Sequence, residues 1–158
     1  MTTAASDIFD LFMSEISDYK LDTIYTTSGS SGLNTNLEPW LLMSITDFEN
    51  VCDQSLTYST VSETGTGDGS FNSDLTYKNK IMLALMMIKY WLKRQIQDVL
   101  EMKIFISDHD FKKNYSPANN LNAKRQYLGD VMEQIDIRLG KYELETNNWE
   151  SWKIQDFD

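Results

Sequence analysis

The sequence predicts an all-α protein, a bundle of four to five helices with flexible loops and an extended C-terminal tail. Three observations lead there. Apolar residues in the long segments recur at threes and fours, the period of a helix with one buried face. The glycine-rich stretches fall between those segments. Residues 81–88 (IMLALMMI) form an unbroken apolar octet, followed after Lys89 by Tyr90, Trp91 and Leu92.

The octet is built from good helix formers and has no polar stripe for about two turns, so it has to be wrapped on every side. It falls well short of the roughly 18–20 apolar residues that cross a bilayer, and Lys80, Lys93 and Arg94 flank it. The wrapping is therefore protein, either the chain's own helices or neighbouring copies. Leu85, Met86 and Trp91 are expected in the buried core.

From the N-terminus, Ser6 is a good helix cap with Asp7 behind it. Ile8, Phe9, Leu11, Phe12, Met13 and Ile16 give a first amphipathic helix ending near Asp18. Residues 26–36 (TTSGSSGLNTN) have the composition of a flexible connector. A second helix is expected from about Glu38, with Pro39 in its first turn and an apolar face of Trp40, Leu41, Met43, Ile45, Phe48 and Val51. Residues 58–70 (YSTVSETGTGDGS) read as a second flexible loop. The central helix starts at Asp74 or Thr76 and runs to about Val99 or Leu100. Pro117 bars a continuous helix, and a last one spans Asn119 to about Tyr142, with Leu121, Leu128, Val131, Met132, Ile135, Leu139 and Tyr142 on one face. Residues 1–142 thus form a single helical domain and 143–158 an interaction tail. Trp149, Trp152 and Phe157 are the tail residues suited to anchor a partner.

The formal charge of −10 is unevenly distributed. Up to Tyr77, one lysine, Lys20, stands against twelve acids; from Lys78 onward, thirteen cations face twelve acids. An acidic surface repels phosphate, so specific nucleic-acid binding is disfavoured, whereas a basic partner, or a passage through which DNA moves without sticking, suits it. The single cysteine, Cys52, excludes an internal disulfide. The N-terminal stretch has no basic residue before its apolar run and does not read as a signal peptide, so synthesis in the cytoplasm and no membrane partner are expected.

Signals for chemistry are weak. Gly65, Gly67 and Gly69 lack the Lys-Ser/Thr of a phosphate loop. Asp68, Ser70, Asn72 and Asp74 alternate like calcium ligands, but the sixth position is Ser73 and the twelfth Asn79. His109, between Asp108 and Asp110, is the lone histidine and has no second zinc ligand of the usual type nearby. No catalytic residue, metal site or cofactor is expected, and the chain does not read as an enzyme.

KNKIMLALMMIKYWLKRQI followed by HDFKKNYSPANNL resembles small helical proteins of tailed phages of Gram-positive bacteria, the head-tail connector (adaptor or head-completion) proteins. In that family a first helix (DIFDLFMSEISDYKL) and a second (EPWLLMSITDF) precede the long one with its WL pair. The resemblance implies a structural virion protein that forms a homo-oligomeric ring joining the portal to the tail. It implies portal and tail or neck proteins as partners, and a place in the neck of the virion. The alternative is an acidic phage-encoded binding module or inhibitor that mimics nucleic acid and acts on a basic host protein.

Overall fold

The computed structural model describes residues 2–16, 18–105 and 117–146. In chain order these form β1 (Thr3–Ala4), α1 (Ala5–Glu15), α2 (Tyr19–Phe48), β2 (Tyr58–Ser59), α3 (Val61–Thr64), β3 (Ser70–Phe71), α4 (Tyr77–Phe105) and α5 (Pro117–Thr146). The protein is a helical bundle in which α1, α2 and α5 all pack on α4. Among the described residues no helix is long and apolar enough to cross a membrane.

The apolar octet lies at the centre of α4, and the chain's own helices wrap it. Met82, Leu83, Ala84, Met86, Met87 and Ile88 are buried, whereas Ile81 and Leu85 are only partly covered. Full burial of such side chains stabilises by about 1.5–3 kcal/mol each, and the aggregate is the main favourable contribution to this core. Met86 is buried as expected, whereas Leu85 and Trp91 are only partly buried, packed against the core's edge. For Trp91 the reason is polar: its Nε1 donates to Asp18 Oδ2 at 2.9 Å, and an indole that reaches a carboxylate stays at the rim.

The largest departure from the sequence reading is α2. Residues 26–36, expected as a flexible connector, are helical, apart from a kink at Gly29 with φ 67° and ψ −168°. Polar side chains there turn inward on their own helix: the hydroxyls of Thr23, Thr26, Thr27 and Thr35 and the amide of Asn36 each donate to the carbonyl four residues back. Only glycine takes the Gly29 conformation readily. Leu21 and Leu37, buried on either side, pin the stretch to the core. Pro39 accordingly lies inside the helix and not in its first turn. Around and beyond it, Leu37, Leu41, Ser44, Ile45 and Phe48 form the buried face, while Met43 is 49% exposed.

Residues 58–70, the second expected loop, contain β2, α3 and the start of β3. The sheet order is β1-β3-β2, antiparallel throughout, with Thr3 and Tyr58 both opposite Phe71. α3 carries a capping box from Thr60 and Glu63 and closes on Gly65, whose φ of 66° is left-handed. This ribbon also explains how α1 begins. Ser6 is not the cap; the cap position is Ala4, continuous with β1, and the first-turn N–H of Ser6 instead donates to the Asp68 carboxylate at 3.2 Å. Tyr58 Oη and the Val61 N–H both donate to Glu38 Oε1, at 3.0 and 2.7 Å, which fastens the ribbon to α2.

α5 begins on Pro117, where a missing N–H costs nothing. It continues through Thr146, past the boundary expected at Tyr142. Leu121, Val131, Ile135 and Tyr142 are buried, but Met132, expected on the same face, is 43% exposed on its flank.

Candidate functional site

The second half of α2 lies beside α4, and the seam between them opens into a groove of about 430 Å³. Trp40 and Met43 give it an apolar wall, and Tyr90, Lys93, Arg94 and Asp98 line the other side. Trp40 is held by Phe12 behind it, ring centres 5.9 Å apart. Tyr90 donates to Asp47 Oδ2 at 2.6 Å, and Lys89 also donates to that oxygen. Burial and this bond to a carboxylate push the Tyr90 phenol up to about 12. Burial raises Asp47, but the hydrogen bonds from Lys89 and Tyr90 outweigh it and hold the carboxyl below the usual range. Lys93 lies 5.3 Å from the Tyr90 ring centre, and Asp98 pairs with Lys20 at 3.4 Å. Arg94 is exposed and makes no ion pair with a described residue. The groove thus offers two aromatic rings, a methionine, two cations and the Asp98 carboxylate on two helices.

On the exposed side of α5, opposite its buried residues, Asp130, Glu133, Ile137 and Leu144 follow one another at intervals of three, four and seven. At 100° per residue they lie within one narrow exposed stripe. Ile137 is 51% and Leu144 58% exposed, and Asp130 and Glu133 make no ion pair with a described residue. A groove of about 410 Å³ between α4 and α5 carries Lys78, Arg138 and Lys141, with Lys78 paired to Glu145.

The densest polar cluster is internal. Tyr142 Oη accepts from the Asp53 N–H at 2.8 Å and donates to Asp53 Oδ1, and Cys52 Sγ lies 3.7 Å away. Asn79, fully buried at the start of α4, donates to Gln54 Oε1 at 2.7 Å and to Asp53 Oδ1 at 3.2 Å. The Tyr142 and Asn79 bonds draw the Asp53 carboxyl below its ordinary value, and burial raises the Cys52 thiol. A protonated thiol and an acid engaged by a phenol form a tie between α5, α4 and the segment after α2, not a nucleophile with its base.

Among the residues singled out from sequence, Met86 is core, Leu85 and Trp91 line its edge, and Trp149, Trp152 and Phe157 lie outside the described residues, as do Asp108, His109 and Asp110. Asp68 is engaged by α1, and Gly67 offers its carbonyl to Asn34 Nδ2 at 3.1 Å. No cluster of three or more His, Cys, Asp or Glu placed to hold a metal ion occurs among the described residues. The groove is not visible in the sequence, whose spacing puts Met43 on the inner face; Lys93 and Arg94 just after an apolar run are its only local signal. The fold defines a helical bundle with a short β-ribbon stitched to one end. No family model matches the chain, and no curated protein or solved structure is detectably similar to it.

Proposed function

We propose that this chain is a structural virion protein, a ring-forming head-tail connector that joins the portal to the tail of a tailed phage and resides in the virion neck. The observation that carries this reading is α5. It is a long helix held from one side by α4, and its outer side exposes Ile137 and Leu144. Isolated exposed apolar residues are ordinary, but two on one stripe of a peripheral helix form a ridge suited to a neighbour. The charge asymmetry supports the same reading. Asp7, Asp10, Glu15, Asp22 and Glu49 are exposed on or beside α1 and α2, giving an acidic surface that would let exiting DNA slide past. The quoted resemblance of the α4 and α5 sequences to connector proteins supplies the particular role, with portal and tail or neck proteins as partners.

Electron microscopy of the purified protein, together with probing of disrupted particles by an antibody to it, tests the proposal. Closed rings and a neck location are expected. A protein absent from particles would refute it.

A further inference from the structure

The ridge and the groove are complementary and occupy different sides of the same molecule. The ridge carries two acids, Asp130 and Glu133, with two aliphatic side chains, Ile137 and Leu144. The groove carries two cations, Lys93 and Arg94, beside the apolar Trp40 and Met43. From Asp130 to Leu144 the ridge runs for about 21 Å at 1.5 Å per residue. We propose that the α5 ridge of one copy docks into the α2–α4 groove of the next. This rests on the ring reading above and specifies the surface through which the ring would close.

Physical reasons favour a second copy as the occupant. The four charged groups are exposed, and neither Arg94 nor either ridge acid makes an ion pair with a described residue, so pairing across the contact breaks no internal ion pair of theirs. Trp40 and Met43 would be covered by aliphatic carbon, which is where a contact gains most. Because the ridge and the α2–α4 groove share no residue, a molecule can engage one neighbour with each surface. Such a contact is heterologous, and it closes into a ring when the rotation between copies permits. The basic α4–α5 groove is a poorer receptor for the ridge. Ile137 belongs to both, so that contact would bring like surfaces together and give a two-fold dimer.

The test uses the full chain and two charge reversals of exposed residues, Lys93→Glu/Arg94→Glu in the groove and Asp130→Lys/Glu133→Lys on the ridge. Circular dichroism first establishes that each retains the fold, and sedimentation velocity then reads association. Each reversal alone should weaken association at least about tenfold, as the loss of one well-placed ion pair would. An equimolar mixture of the two should co-assemble with alternating copies, since the native ridge of one meets the native groove of the other and the reversed ridge meets the reversed groove. Combining all four substitutions in one chain should restore assembly. Loss of association on ridge reversal alone, with the groove reversal silent, would overturn the pairing, as would a wild-type chain that remains monomeric. Wild-type rings indifferent to both reversals would refute this interface and leave the connector role standing. Rings formed by this contact but missing from particles would do the opposite.

Discussion

Replacing Tyr142 with Phe keeps the ring, which sits edge-on to Phe48 with centres 5.4 Å apart, and removes only the hydroxyl. That hydroxyl accepts from the Asp53 N–H at 2.8 Å and donates to the Asp53 carboxylate. A neutral hydrogen bond contributes about 1 kcal/mol net and one to a charged group about 1.5–3, but the exposed Asp53 carboxylate can turn to water, which favours the low end. The expected loss is therefore about 1–2 kcal/mol, or roughly 2–8 °C in Tm for a chain of this size. Urea unfolding followed by circular dichroism measures it. The effect also has a pH signature. Asp53 is lowered in the folded state, first by the Tyr142 bond, so its contribution is present above its unfolded pKa of about 3.9 and fades as pH falls through the lowered folded value. The gap between wild type and Tyr142→Phe should narrow in acid. A loss below about 0.5 kcal/mol at neutral pH, or a gap that widens on acidification, would refute the reasoning.

Three further outcomes are expected. Gly29→Ala should cost about 1–3 kcal/mol through the backbone alone, because the added methyl meets nothing within 4 Å while φ stays at 67°; thermal unfolding reads it. Met86→Asp should destabilise by several kcal/mol and Leu85→Asp by distinctly less, since only Met86 is fully enclosed, and comparing their unfolding midpoints checks the order. Tyr58, Tyr90 and Tyr142 are all raised, first by burial and then by Glu38, Asp47 and Asp53 respectively. Groups held neutral in the fold stabilise fully below the unfolded phenol value of about 10 and lose that contribution as pH rises above it. Stability should thus fall beyond about pH 10, and absorbance titration should show these three phenols ionising above the ordinary phenol value of about 10.

The helical class and the positions of α1, α4 and α5 were legible because their apolar residues repeat with the helical period. Residues 26–36 were not, since composition alone does not show that Thr hydroxyls will satisfy helix carbonyls or that Leu21 and Leu37 will pin both flanks. The ribbon was hidden for a different reason. Its strands are two residues long, and pairing Thr3 with Phe71 depends on tertiary proximity rather than local pattern. The groove required α2 and α4 to lie side by side, so Met43 appeared to belong to the inner face when only its own helix was considered.

The joining of the first residues to the middle of the chain affects the order of events at the ribosome. Thr3 Oγ1 accepts from the Leu75 N–H, and the Ser6 N–H waits for Asp68, sequence separations of 72 and 62 residues. The octet on which α1 and α2 pack follows later still. A nascent chain thus carries α1, with Ile8, Phe9 and Phe12 uncovered, until α4 has emerged. Synthesis proceeds at about 5–20 residues per second, so this apolar helix is exposed for seconds before its partners exist. A pause placed shortly after the codons for α4 would let the bundle close around it, whereas one placed before them would prolong the interval in which aggregation competes with folding.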